Sequence, residues 1–243
     1  MTILITGGTG RLGRHVVAAF RSRSLDHRIL SRSPGAGHVV ADLATGEGLA
    51  TALGGVDTVL HLATSRSKDI DQTRRLLDAM DPSQHLVFIS IVGVDRIPFG
   101  YYRDKVASEQ AIEASGIPFT IIRVTQFHGF VNEVLEAQRR LPVTLILPVS
   151  AQTIHMPEVA ERLADLAAGA PAGRVPDLGG PEQLTLREYA RQWQQHRGVT
   201  RPIWALHLPG KTVAAFRAGH HMSGLPGAGR ITYREYLEAG GDA

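Results

Sequence analysis

Apolar positions over the first 130 residues alternate between two rhythms. Short runs rich in Ile, Leu and Val stand at residues 2–6, 28–30, 38–41, 56–63, 85–91 and 119–124. Runs of this length and composition predict strands buried on both faces. Between them the apolar spacing changes to three and four. Leu12, Val16 and Phe20, with Ala19 beside them, form one stripe on a helix, and such a stripe packs against a sheet. The same spacing predicts helices at 70–80, 102–115, 131–140 and 157–168, the last opened by Pro157, where a missing N–H does no harm.

Strands alternating with helices imply a parallel sheet covered on both faces. The expected fold class is α/β, a Rossmann-type doubly wound parallel sheet. Beyond residue 141 the rhythm loosens, with Pro142, Pro148, Pro171, Pro176 and Pro181 punctuating shorter elements. The expectation is one domain over residues 1–243, with its core over about 1–140 and a smaller, irregular substrate lobe over about 141–243. In that lobe Thr185-Leu186-Arg187-Glu188 reads as a capping box opening a helix that runs to 195. Residues 204–208 read as a strand, and 211–220 as a helix that is either a lid or a surface element. Residues 223–229, rich in glycine, read as a mobile loop, and Trp193 and Trp204 as packing residues.

Composition narrows the function classes. With 43% hydrophobic and 20% charged residues, the 243-residue chain has the make-up of an ordinary globular domain. Its 26 Lys and Arg against 23 Asp and Glu leave a formal charge of only +3, and no basic run interleaves with aromatics. A nucleic-acid partner is not expected. The absence of cysteine excludes disulfides, thiolate metal sites and cysteine nucleophiles. Residues 3–5 are too short an apolar run for a leader core, and no later run reaches membrane-spanning length. A soluble, unprocessed, cytoplasmic protein with no membrane partner is expected, acting as a monomer or homodimer on a small-molecule substrate.

The most informative local motif is Gly7-Gly8-Thr9-Gly10-Arg11-Leu12-Gly13, directly after the first predicted strand and opening the first helix. In that context the glycines permit a tight turn, let backbone approach a pyrophosphate and allow close helix packing, while the helix N–H groups attract the phosphates. A dinucleotide cofactor follows. NAD-binding chains of this plan usually place an acidic residue about 20 residues beyond the loop to accept from the ribose hydroxyls. Here Ser31-Arg32-Ser33 occupies that place. A guanidinium cannot accept such a bond but forks onto a 2′-phosphate, and Arg11 adds a second cation. NADP(H) is therefore expected ahead of NAD(H), although Arg32 is also open to reading as one solvated arginine among many.

These residues, together with Ala41-Asp42-Leu43, His61-Leu62-Ala63-Thr64, Phe88-Ile89-Ser90 and Tyr101-Tyr102-Arg103-Asp104-Lys105, resemble the atypical short-chain dehydrogenase/reductases, particularly their NmrA-like NAD(P)-binding branch. The resemblance covers most of the first 130 residues and runs more faintly to the end. It implies that Asp42, with Leu43, lies at the adenine, that Ala63, Thr64 and Ser90 lie along the cofactor, and that Tyr101 and Lys105 form the family's Tyr-x-x-x-Lys pair. On a helix that spacing shares a face, so an ammonium there lowers the phenol pKa and helps it deliver a proton as hydride reaches a carbonyl. Lys105 could also hold the ribose hydroxyls. The same spacing also fits an ordinary helix on which Tyr102 packs and Tyr101 is solvated. Two departures count against a standard mechanism: the family's usual serine pair reads Ser90-Ile91 here, an alkyl group in place of the second hydroxyl, and the segment between Ser90 and Tyr101 is shorter than is usual in that family.

After the sixth predicted strand, Gln126, Phe127 and His128 stand where open α/β sheets bind ligands, and they are the expected substrate-pocket residues. His128 either supplies a proton or makes ordinary turn hydrogen bonds. His155 is a weaker candidate of the same kind. The adjacent pair His220-His221 lacks the geometry for a metal, and none is expected. The leading expectation is an NADP(H)-dependent oxidoreductase moving hydride to or from a small carbonyl, quinone or enone. The alternatives are a non-catalytic NADP-binding sensor, and an epimerase or dehydratase using bound NAD(P).

Overall fold

A computed structural model describes residues 1–65, 69–224 and 227–241. In chain order the elements are β1 (Ile3–Thr6), α1 (Arg11–Ser22), β2 (His27–Ser31), β3 (His38–Val40), α2 (Leu49–Leu53), β4 (Thr58–His61), α3 (Asp69–Ala79), β5 (His85–Ile91), α4 (Gly100–Ala114), β6 (Phe119–Val124), β7 (Gln126–Phe127) and α5 (His128–Glu136). There follow β8 (Thr144–Ile146), β9 (Ser150–Ile154), α6 (Met156–Ala168), β10 (Gly173–Arg174), β11 (Gln183–Thr185), α7 (Leu186–His196), β12 (Ile203–Ala205), α8 (Lys211–Arg217) and α9 (Tyr233–Glu238). The chain divides into two compact units. The first comprises residues 1–90, 100–123 and 157–176; the second comprises 91–99, 124–156 and 177–243.

The first unit is organised by a seven-stranded parallel sheet in the order β10-β6-β5-β4-β1-β2-β3, flanked by helices as the alternating pattern predicts. All four residues of β1 and of β4 are buried. They carry apolar side chains on both faces, as covered parallel strands must. On one face Leu4, Val59, Leu86 and Phe88 join Leu53 of α2, Leu76 of α3 and Ile112 of α4 in one apolar cluster. Ile3, Ile5, Leu60 and Val87 alternate with them and point to the other face. The stripe on α1 behaves as its spacing predicts, with Val16, Ala19 and Phe20 buried. Arg23, at the C-terminal end of α1, pairs with Asp165 at 2.6 Å and also with Glu161, both on α6. The edge strand β10 is held by Arg174, which bonds Glu109 at 2.8 Å and Glu113 at 2.5 Å.

Register fixes which end of the sheet carries the reversal of strand order. Thr6 pairs with His61 on one side and Leu30 on the other, so the chain leaves β1 at the point from which strand order runs outward in both directions. Ligands bind at that reversal in folds of this kind.

The second unit is built from short elements: a three-stranded sheet β11-β9-β7, a two-stranded sheet β12-β8, and helices packed around Val131, Leu135, Ile146, Tyr189, Trp193, Tyr233, Tyr236 and Leu237. The Thr185–Glu188 capping box is formed in both directions, and Thr232–Glu235 makes a second one opening α9. Trp193 is buried, but Trp204 is 59% exposed, so it is not a packing residue. β12 is a short strand, and the expected 204–208 strand stops at Ala205. In the glycine-rich stretch, residues 225–226 lie outside the described residues. Its flanks are tied down: the Ser223 N–H donates to Gln152 Oε1 at 2.8 Å, and the Gly229 N–H to the Gly179 carbonyl at 2.9 Å. No helix among the described residues is long and apolar enough to cross a membrane.

Candidate functional site

The glycine loop needs its glycines for two separate reasons. Gly7 has φ +71°, a left-handed conformation that L side chains avoid, and a Cβ there would stand 2.7 Å from the Ala63 nitrogen. At Gly13 the conformation is ordinary but the space is missing: a Cβ would fall 2.1 Å from the Gly7 carbonyl oxygen. Gly10 closes the turn with an N–H···O bond of 3.0 Å to Gly7. It is also the N-cap of α1, and neither a side-chain cap nor an acidic residue compensates that helix end. The first-turn N–H groups and the helix dipole are thus left to an anion. The loop fits the pyrophosphate of a dinucleotide on all three counts. Thr9, Gly10 and Arg11 are exposed there, and Leu12 is half-buried.

A buried polar contact sets how far the loop stands from the end of β4. The Thr6 hydroxyl accepts N–H bonds from Leu62 and Ala63, each 3.2 Å long, and its proton goes to His61 Nδ1 at 2.7 Å. The other ring nitrogen of His61 reaches Thr73 Oγ1 at 3.3 Å, and that hydroxyl donates to the Asp69 carbonyl at 2.8 Å. His61 is therefore neutral, protonated on Nε2. Burial, reinforced by the Lys105 charge, pushes its pKa down to about 3.

Arg32 is the first residue after β2 and is exposed. Asp42 makes a local turn, its Oδ1 accepting from the Ala44 N–H at 2.7 Å, while Leu43 enters the core. Ser90 is buried beside Glu109, whose carboxylate is also bonded by Arg123 at 2.7 Å. Burial alone would raise the Glu109 pKa; bonds from Arg123 and Arg174 outweigh it and hold the pKa below the ordinary carboxylate range.

The Tyr101–Lys105 pair opens α4. Tyr102 is the packed tyrosine, and burial raises its pKa, whereas Tyr101 is only partly buried. The Tyr101 hydroxyl lies 3.1 Å from Thr64 Oγ1, and the Thr64 hydroxyl donates to Asp69 Oδ2 at 2.8 Å. Since the single Thr64 proton points to a carboxylate, Tyr101 donates to Thr64. Asp69 Oδ1 accepts from the Ser65 N–H at 2.6 Å, and Oδ2 stands 3.5 Å from Lys105 Nζ. Lys105 is buried with its ammonium 4.7 Å from the centre of the Phe88 ring. Burial lowers its pKa against the opposing pull of Asp69. Asp69 is the reverse case, since burial would raise its pKa but the Ser65 N–H and the Lys105 charge bring it down. Neither Asp69 nor His61 is marked as a site residue by the sequence. Neither has a spacing that betrays it: His61 meets Thr6 through the pairing of β1 with β4, and Asp69, close in sequence to Thr64 and Ser65, meets Lys105 through the packing of α3 on α4.

In the second unit, Gln126 and Phe127 form β7 and His128 opens α5. Gln126 folds back on its own chain, its side-chain oxygen accepting from the Phe127 N–H at 2.9 Å. His128 is buried with both ring nitrogens engaged: Nε2 donates to the Ile231 carbonyl at 3.0 Å, and Nδ1 accepts from Thr153 Oγ1 at 2.6 Å. Burial lowers its pKa to about 4. His155 stacks on it with ring centres 6.2 Å apart. His221 donates from Nε2 to the Ser150 carbonyl at 2.9 Å.

Residues 7–168 match the model of the NAD(P)H-binding family. The chain belongs to that family, which bears out the resemblance carried by its motifs. It is 30% identical over 169 residues to photosystem II assembly factor Ycf39 of Trieres chinensis, an alignment spanning 61% of this chain and only 52% of that protein. It is 29% identical over 214 residues to (4-alkanoyl-5-oxo-2,5-dihydrofuran-3-yl)methyl phosphate reductase of Streptomyces griseus, covering 83% of this chain and 75% of that one. Among solved structures, the NADPH complex of an NADPH-dependent quinone oxidoreductase from Escherichia coli superposes with a TM-score of 0.80 at 20% identity, covering 98% of this chain and 99% of that one. The last likeness is one of fold.

Proposed function

We propose that this chain is an NADP(H)-dependent oxidoreductase that transfers hydride to or from a small carbonyl, quinone or enone. The observation that carries the reading is the bond between Tyr101 and Thr64 at the carboxyl end of β4, which ties a partly exposed phenol to the buried Asp69–Lys105 pair. When bound, the dinucleotide supplies the hydride. Residues 7–13 hold its pyrophosphate, Arg32 and Arg11 take a 2′-phosphate, and Asp42, Leu43, Ala63, Thr64 and Ser90 border the remainder. Tyr101 gives its proton to the substrate oxygen as charge develops there, and Lys105 stabilises the phenolate left behind. Gln126 and Phe127 are the second unit's proposed substrate residues, while His128 is buried with both ring nitrogens engaged and serves as their support. Support comes from membership of the NAD(P)H-binding family and from relatives named as a reductase and a quinone oxidoreductase, at 29% and 25% identity.

A second reading, a non-catalytic NADP-binding sensor, has one observation in its favour: Ile91 stands where the family's second serine is expected. Turnover separates the two. Tyr101→Phe is expected to lower NADPH oxidation with an accepted quinone or carbonyl by roughly 10²–10⁴-fold, the usual contribution of a positioned acid. An unchanged rate removes Tyr101 from the chemistry, and a wild-type protein that binds NADPH but turns over no member of a broad panel is the sensor.

A further inference from the structure

We infer that Asp69 is a positioning residue of the proposed reductase site, its one carboxylate holding the Lys105 ammonium directly and the Tyr101 phenol through the Thr64 hydroxyl. The inference rests on the oxidoreductase reading for its purpose but on geometry for its substance. Asp69 is 3% exposed, the first residue of α3, and fixed from below by the Ser65 N–H at 2.6 Å. Its remaining oxygen is shared between Thr64 at 2.8 Å and Lys105 at 3.5 Å. A buried carboxylate persists only when it is bonded and paired, and here its partners are the two residues of the Tyr-x-x-x-Lys motif, one of them through Thr64.

This arrangement changes the part that Lys105 plays. An ammonium beside a tyrosine ordinarily acts on the phenol by its charge. Here that charge is partly met by Asp69, and it acts on the phenolate together with the Thr64 hydroxyl that Tyr101 bonds. When the Tyr101 proton passes to the substrate oxygen, the Thr64 proton can turn from Asp69 to the phenolate, and Lys105 and Ser65 retain the carboxylate. No proton is gained or lost by the chain beyond the one delivered. Asp69 also keeps Lys105 charged in a place where burial favours the neutral amine. The other groups facing the ammonium are Glu109 from α4, the Phe88 ring from β5 and the neutral His61 from β4. Of these, Glu109 is already bonded to Arg123 and Arg174, which leaves Asp69 as its direct counter-ion.

The test uses the whole chain without added dinucleotide. Its three lysines, Lys68, Lys105 and Lys211, are followed by 15N side-chain NMR as a function of pH. Asp69→Asn is expected to lower the ionisation midpoint of Lys105 by at least one pH unit and to leave Lys211 where it is. An unmoved Lys105 overturns the inference. Asp69→Glu keeps the charge but displaces it, and is expected to leave Lys105 ionised at neutral pH while kcat falls tenfold or more; wild-type kcat in that variant also overturns the inference. If Asp69→Asn does not fold, Thr64→Val and Thr64→Ser carry the test. Loss of turnover in Thr64→Val, restored in Thr64→Ser, supports the shared chain, and equal rates in all three proteins refute it. A wild type without any turnover defeats the reductase reading alone, and the lysine titration then decides the role of Asp69.

Discussion

The Thr6 hydroxyl and the His61 imidazole meet at 2.7 Å beneath the glycine loop, and this contact joins the last residue of β1 to the last residue of β4. It matters because Gly7 packs against the Ala63 backbone, so any change in the separation of these strand ends is passed to the loop. The contact requires a neutral ring. A proton on Nδ1 would leave two donors facing each other across a buried gap.

That requirement gives a pH dependence with a definite sign. The folded-state pKa of His61 is about 3, against a usual value of 6.5. Its stabilising contribution is complete above pH 6.5 and is lost as the pH falls toward 3, because unfolding then takes up a proton. His128, at about 4, acts in the same direction. Together they make the free energy of unfolding fall as the pH drops through this window. His61→Gln is expected to be less stable at pH 7.5 by roughly 1–3 kcal/mol, for the lost buried bonds, but to lose less on going to pH 5. Urea unfolding at the two pH values checks this, and an equal loss in wild type and variant contradicts it.

Gly13→Ala tests the second glycine. Its Cβ would stand 2.1 Å from the Gly7 oxygen, so the loop must move away from α1. The expected cost is roughly 1–3 kcal/mol, as for other overpacked sites, together with loss of NADPH binding. Thermal melting and calorimetric titration measure the two effects, and wild-type affinity in the variant would show that the loop is not the pyrophosphate cradle.

Glu109→Gln addresses the support under the sheet edge. Glu109 is buried between Arg123 and Arg174, the latter carried by β10. Leaving two guanidinium groups without their shared carboxylate should cost roughly 3–5 kcal/mol, as removal of one partner from a buried pair does. The wild-type contribution is present at neutral pH and is lost as the pH falls through the depressed pKa of Glu109. Chemical denaturation near pH 7 decides the matter, and a change below about 1 kcal/mol, the scale of an exposed pair, would mark Glu109 as dispensable.

The sheet was legible in the sequence because its strands are short, apolar and punctuated, and because the stripe of Val16, Ala19 and Phe20 has one period throughout. The glycine loop was legible for a different reason: every element of its chemistry lies within seven consecutive residues. Asp69 and His61 escaped because a buried polar chain has no linear signature: His61 reaches Thr6 and Thr73 across the fold, and Asp69 joins its sequence neighbours Thr64 and Ser65 to Lys105 of α4. The exposure of Trp204 escaped because apolar character alone does not say which face of a short two-stranded sheet is covered. Tyr101 and Lys105 were singled out by the family resemblance and their spacing, but the spacing gave no hint that Thr64 and Asp69 stand between them.

The cofactor assignment rests on residues 7–13 and Arg32 taking NADP(H) in preference to NAD(H). Calorimetric titration of the wild type and Arg32→Ala with NADPH and with NADH, under one set of conditions, measures that preference. The wild type is expected to bind NADPH at least on the order of tenfold more tightly, about 1.4 kcal/mol, and Arg32→Ala to lose most of that preference while its NADH affinity stays the same. Equal or tighter binding of NADH by the wild type, or an undiminished preference in Arg32→Ala, would contradict it.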